Sequence, residues 1–124
     1  FYCCAAATRL LRASRGQIVN LGYAGVDALV GNPDAVAYQV SKSGLLVLTK
    51  SLATALAPDV RANMLSPGQL ENSIDLPQDI EATLPTGRAG RLEEVADALI
   101  WLIGADYVTG VNIDVAGGYR LALR

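Results

Sequence analysis

Three short apolar runs, separated by stretches long enough for helices, constrain the fold of this 124-residue chain more than any other feature. The runs are residues 17–21, 60–65 and 111–115, and the first carries β-branched Ile18 and Val19. Such residues suit a pleated, half-buried surface and predict strands. Residues 1–14 are Ala-rich with Leu10 and Leu11 and predict a helix closing toward Gly16. Residues 37–57 predict a long helix ending before Pro58, and residues 91–103 a helix stopped at Gly104. Parallel strands need crossovers of a dozen or more residues, usually helical. The order helix–strand–helix–strand–helix–strand therefore predicts an α/β domain with a parallel sheet, spanning residues 1–124 as one unit.

The stretches between are informative too. Residues 22–36 read as a loop punctuated by Gly22, Gly25, Gly31 and Asn32-Pro33-Asp34. Residues 69–86, with Pro77 and Pro85, suit a mobile loop or a short helix over a site. The 37–57 helix is apolar at Ala37, Val40, Leu45, Leu48, Leu52 and Leu56, with Leu46 and Val47 as a second stripe. A helix apolar on two sides is buried on two sides, one against the sheet and the other against a partner chain. Trp101 falls in an apolar helix and is expected in the core; Cys3 and Cys4 are expected on a buried helix face.

In parallel sheets, ligands bind outside the carboxyl ends of the strands. Here those ends are Gly22-Tyr23 and Ser66-Pro67-Gly68, and topology puts the start of the 37–57 helix on the same edge. That start carries Tyr38 and Lys42. Residues at i and i+4 share a helix face, about 5–6 Å apart at Cβ. A free phenol titrates near pH ~10 and is a poor acid or base at neutrality. A fixed positive charge beside it favours the phenolate. By itself the pair also fits a solvated helix face.

Composition excludes several classes. A net charge of −2 with interspersed signs provides no polybasic stripe for nucleic acid. The apolar fraction is 52%, yet no run approaches the roughly 18–20 residues that span a bilayer. No signal-peptide pattern is present, and adjacent cysteines do not make a secreted disulfide scaffold. The absence of His excludes a His-based triad or metal site. The default expectation is a cytoplasmic protein.

Five motifs in one order resemble the short-chain dehydrogenase/reductase family. They are Arg15-Gly16-Gln17-Ile18-Val19-Asn20-Leu21-Gly22; Tyr38-Gln39-Val40-Ser41-Lys42; Arg61-Ala62-Asn63-Met64-Leu65-Ser66-Pro67-Gly68; Arg88-Ala89-Gly90-Arg91-Leu92-Glu93-Glu94-Val95-Ala96; and Tyr107-Val108-Thr109-Gly110 with Gly117-Gly118. The resemblance implies the C-terminal half of a Rossmann-like doubly wound sheet. The N-terminal Gly-rich nucleotide-binding half of the family pattern has no counterpart: no Gly-x-x-x-Gly-x-Gly and no Asn-Asn-Ala-Gly occurs.

The resemblance further implies an oxidoreductase using NADP or NAD, with hydride transfer to a carbonyl or imine. Tyr38 would exchange the proton and Lys42 would assist and hold the nicotinamide ribose. Pro67, Gly68 and the backbone of Leu70 would meet the nicotinamide, with Asn72 or Ser73 toward phosphate. Tyr23 stands where the family usually has Ser; it either orients a substrate oxygen or packs the loop. Asp27 is a second candidate for that role or a turn former. Asn20 would hold backbone, Arg88 and Arg91 would be structural, and Ala116 replaces the usual Asp before Gly-Gly. Substrates implied are a small carbonyl compound, as in 3-oxoacyl-carrier-protein reductases, or a pteridine-like one, as in pteridine reductases. The helices at 1–14 and 37–57 would build a homo-oligomer. The competing expectation is a truncated, non-catalytic chain that persists as an oligomeric interaction module. Without the pyrophosphate turn, these 124 residues alone are expected to bind dinucleotide weakly.

Overall fold

A computed structural model describes residues 1–74 and 76–119. Helix α1 (Tyr2–Ser14) leads into strand β1 (Gln17–Leu21). Two single 3-10 turns, Val26–Ala28 and Pro33–Ala35, shape the loop before helix α2 (Val36–Ala55). Strand β2 (Arg61–Pro67), the short helix α3 (Ile80–Thr83), helix α4 (Leu92–Gly104) and strand β3 (Asn112–Val115) complete the order. The sheet runs β1-β2-β3 and is parallel throughout, with Ile18 opposite Ala62 and Met64 opposite Asn112. The crossover argument thus holds, and the boundaries move by at most two residues at each end.

Strand β2 is the centre. Residues Ala62 to Ser66 are all buried, as expected of a strand covered on both faces. Ile18, Ala53, Leu56, Val60 and Ala62 form one apolar cluster, and Val26, Leu46 and Met64 form another beneath the Tyr23 loop. The arginine and asparagine of the β2 motif act as staples. The Arg61 guanidinium donates to the Ile103 carbonyl at 2.9 Å, a cation at the end of α4 where the helix dipole favours one. The Asn63 side chain donates to the Val108 carbonyl at 2.9 Å and accepts from the Val111 N–H at 3.2 Å.

Glu94 organises the start of α4. Its carboxylate accepts from the Arg91 backbone N–H at 2.8 Å and from the Arg88 guanidinium at 2.9 Å. This is the returning half of a capping box, and it gives Arg88 the structural role expected of it. The arginine contacts hold the Glu94 carboxyl at about 2, down from 4.5. The hydrogen bond from Arg88 is the largest cause, followed by that from the Arg91 backbone.

Three expectations fail. Trp101 is 58% exposed; its neighbour Leu102 is the buried residue of α4, and adjacent helix positions point about 100° apart. Cys3 is exposed and Cys4 only half-buried, because α1 buries no residue fully. Asn20 bonds a side chain and not backbone, donating to Thr49 Oγ1 at 2.9 Å. In α2, Leu46, Thr49 and Ala53 are buried, while Val40 and Val47 remain exposed. Burial thus cuts across both stripes: Leu46 is covered and Val47 is not in one, and Leu56 is covered and Val40 is not in the other. No helix among the described residues is long and apolar enough to cross a membrane.

Candidate active site at the strand ends

The carboxyl ends of all three strands are laced together by backbone bonds. Gly22 N–H donates to the Leu65 carbonyl at 2.8 Å, Ala24 N–H to Pro67 at 3.0 Å, and Gly68 N–H to Val115 at 3.0 Å. The tightness of this lacing explains two glycines. A Cβ on Gly22 would overlap Ser66 Oγ and lie 2.9 Å from Met64 Sδ. A Cβ on Gly68 would lie 2.7 Å from the Ala116 Cβ, so the close approach there is to protein.

Tyr38 reaches this rim from the first turn of α2. The loop before it is fixed by Gln39, whose Oε1 accepts from Asn32 N–H at 2.8 Å and whose Nε2 donates to the Val30 carbonyl at 2.9 Å. Tyr38 is 50% exposed, so its phenol is open to a ligand. One helical turn on, Lys42 Nζ donates to the Leu21 carbonyl at 2.8 Å, at the end of β1. The ammonium lies 5.7 Å from the centre of the Tyr38 ring. Tyr23 completes the group: its ring centre is 5.6 Å from that of Tyr38, tilted by 41°.

Tyr23 contributes to the lining of several cavities, two of which bear on this group. One of about 150 Å³ is lined by Tyr23, Ala24, Pro67, Gly68, Gln69 and Tyr119. The other, about 270 Å³, opens between Tyr23, Leu29, Val30 and Gln39, with Val40 and Ser43. Neither is lined by a carboxylate or cationic side chain among the described residues. The sites expected from sequence thus divide. Tyr38, Lys42, Tyr23, Pro67 and Gly68 come together at one edge. Leu70 lies further along the same turn, where its N–H donates to Ser73 Oγ at 3.1 Å and its carbonyl accepts from Ser73 N–H at 2.9 Å. Asp27 lies exposed on the first 3-10 turn, in neither cavity lining.

A polar chain that the motifs do not mark runs beneath the rim. Ser66 Oγ donates to Asn112 Oδ1 at 2.6 Å, Asn112 Nδ2 to Asp114 Oδ1 at 3.0 Å, and the Gly25 N–H to Asp114 Oδ2 at 3.1 Å. The polar–apolar–polar run Asn112-Ile113-Asp114 is the available signal, because residues two apart share one face of a strand. Among the described residues no cluster of His, Cys, Asp and Glu could hold a metal.

The arrangement places a proton-bearing oxygen, a fixed cation and a cavity beside Pro67-Gly68 at one strand edge. A fixed ammonium is the kind of donor that ribose hydroxyls require, although neither Lys42 nor Tyr38 lines that cavity.

Comparisons with known proteins agree with this fold. A family model described as enoyl-(acyl carrier protein) reductase matches residues 1–120. Carbonyl reductase family member 4 of Danio rerio is 36% identical over 124 residues, 97% of this chain and 52% of that protein. The 3-oxoacyl-[acyl-carrier-protein] reductase of Bos taurus is 34% identical, over 98% of this chain and 52% of its own length. Among solved structures, acetoin dehydrogenase from Salmonella typhimurium superposes with a TM-score of 0.82 at 31% identity, covering 96% of this chain and 50% of that one. A 3-oxoacyl-[acyl-carrier protein] reductase from Brucella melitensis with bound NAD gives 0.81 at 33% identity, covering 94% and 46%. The chain spans about half the length of these relatives. With its parallel sheet, its Tyr38–Lys42 helix and a family match along nearly its whole length, the chain belongs to the short-chain dehydrogenase/reductase family of oxidoreductases.

Proposed function

We propose that this chain carries the proton-transfer half of a nicotinamide-dependent carbonyl reductase. The observation that carries the reading is Lys42: its ammonium is anchored on the Leu21 carbonyl, one helical turn from an open Tyr38 phenol. Bound NADP or NAD supplies the hydride. Tyr38 delivers the proton to the substrate oxygen as negative charge develops there, and the Lys42 charge favours the phenolate left behind. Lys42 would also hold the ribose, and Pro67, Gly68 and the backbone of Leu70 would meet the nicotinamide. For Leu70 to serve, its N–H must exchange Ser73 Oγ for the ligand.

Tyr23 takes the position of a second hydroxyl that orients the substrate oxygen. The 5.6 Å between its ring and that of Tyr38 supports this reading. Asp27 belongs to the turn that carries this loop and has the weaker claim to substrate. The larger cavity, lined by apolar and neutral polar side chains, suits a small uncharged carbonyl compound; a flat, pteridine-like ring is the alternative. The exposed faces of α1 and α2, with Leu10 and Val47, are the surfaces through which copies would associate.

The test is reduction of ethyl acetoacetate by the natural full-length protein with NADPH or NADH. Consumption of reduced nicotinamide is expected, and it should fall roughly 10²–10⁴-fold in Tyr38→Phe, the range of general acid catalysis. A Tyr38→Phe protein as fast as wild type would reject this assignment. The competing account, a non-catalytic oligomeric module, predicts no consumption with any carbonyl compound.

A further inference from the structure

Asp114 does not touch the cavities, yet it holds the loop that shapes them. Its Oδ2 accepts the Gly25 N–H at 3.1 Å, two residues beyond Tyr23 and 89 residues away in sequence. Its Oδ1 accepts from Asn112 Nδ2 at 3.0 Å. The Asn112 amide cannot turn over without loss, because the Asp114 carboxylate only accepts; Asn112 Oδ1 is thereby left to take the hydroxyl of fully buried Ser66 at 2.6 Å. The donors converge on one carboxylate: Ser66 hydroxyl to Asn112 and Asn112 amide to Asp114 Oδ1 run in line, and the Gly25 backbone meets Oδ2. Hydrogen bonds in line polarise one another, and those ending on a charged acceptor are the stronger kind.

The sequence makes room for this chain. Any side chain at position 22 would displace the Ser66 hydroxyl at its head. Gly25 itself is buried and has φ +82°, so its N–H direction is set by a backbone conformation other residues avoid. Gly22 before Tyr23 and Ala24 after it tie the loop to β2. At Gly25, Asp114 is the tie to β3.

We propose that Asp114 is a positioning residue: through the Gly25 N–H it sets where the Tyr23 ring stands against Tyr38. The inference rests on the reading of Tyr23 as a substrate-orienting group. Its structural half is read without turnover. Asp114 shapes the site through two acceptor atoms, one for Asn112 and one for Gly25, so an amide, which keeps one acceptor, should serve only in part. Removal of the acceptor should shift Tyr23 and slow the proton step, because small misplacements at a reacting centre are amplified in rate.

The test compares Asp114→Ala and Asp114→Asn in the full-length protein. Three readings are taken: hydrogen exchange at the Gly25 amide, the NMR cross-relaxation between the Tyr23 and Tyr38 rings, and kcat and KM for ethyl acetoacetate. In Asp114→Ala, Gly25 exchange should accelerate about tenfold or more, the ring contact should weaken, and kcat should fall about tenfold with KM changed less. Asp114→Asn can turn its single acceptor oxygen to the Gly25 N–H at the cost of the Asn112 bond, and should restore part of all three. Unchanged Gly25 exchange and ring contact in Asp114→Ala would overturn the proposal. So would an Asn variant as impaired as the Ala variant. If wild type reduces no carbonyl compound, the reductase reading fails, and the exchange and ring measurements still decide whether Asp114 positions Tyr23.

Discussion

The strand-end rim and the outer helix faces are built on opposite terms. At the rim, three strand ends, the Tyr23 loop and the first turn of α2 are joined by hydrogen bonds of 2.6–3.1 Å. The groups that would do chemistry are thus held by backbone and by buried polar partners. On the outer faces, α1 buries no residue, and Trp101 and Val47 stand in solvent. The difference teaches where function is specified. Rim residues are placed by contacts this chain makes with itself. Apolar residues of the outer faces gain from contacts with something else.

Four substitutions or conditions would break or sharpen that contrast. The largest stability effect belongs to the centre: Met64→Ala empties a fully buried site and should cost about 2–5 kcal/mol, read as a lowered denaturant midpoint. A cost below about 1 kcal/mol would mean that β2 is not the centre. Next comes Gly22→Ala, whose methyl meets Ser66 and Met64. Overpacking of this kind costs about 1–3 kcal/mol, and calorimetry should show it as a lower Tm. Trp101→Ala should cost at most about 0.5 kcal/mol within a single chain, as for other exposed positions. A larger loss that depends on protein concentration would show that an outer face is covered by a second copy.

The smallest effect concerns acid. The Glu94 carboxyl is held at about 2 in the folded chain, below its ordinary 4.5. A carboxyl depressed on folding contributes stability above its ordinary value, and loses it as pH falls through the folded one. Wild type should therefore lose a small increment between pH 4.5 and about 2 that Glu94→Gln lacks. Parallel acid profiles for the two proteins would remove Glu94 as an anchor of α4.

Legibility in sequence followed the same division. The parallel sheet was readable because β-branched runs and helix-length spacers leave few alternatives, and Tyr38 with Lys42 because helical spacing alone puts them on one face. Trp101 was misread because hydrophobicity without phase does not say which side of a helix meets the sheet; Leu102, one residue on, takes the core. Asn20 was misread because a polar residue in a strand can be satisfied by a neighbouring helix as well as by backbone, and Thr49 on α2 supplies the partner. Asp114 escaped notice because its partner, Gly25, lies 89 residues away and contributes only a backbone N–H. No local pattern encodes that pairing; the β2–β3 register and the Tyr23 loop create it together.

The contrast between rim and outer face, and with it the catalytic reading, is tested most directly by one paired rate measurement. Nicotinamide oxidation by Tyr38→Phe and by Trp101→Ala would be compared with wild type in the full-length protein, at saturating NADPH and carbonyl substrate. The account predicts a loss of at least about 10²-fold for Tyr38→Phe and less than about twofold for Trp101→Ala. Equal rates for the two variants, or a greater loss from Trp101→Ala, would contradict it.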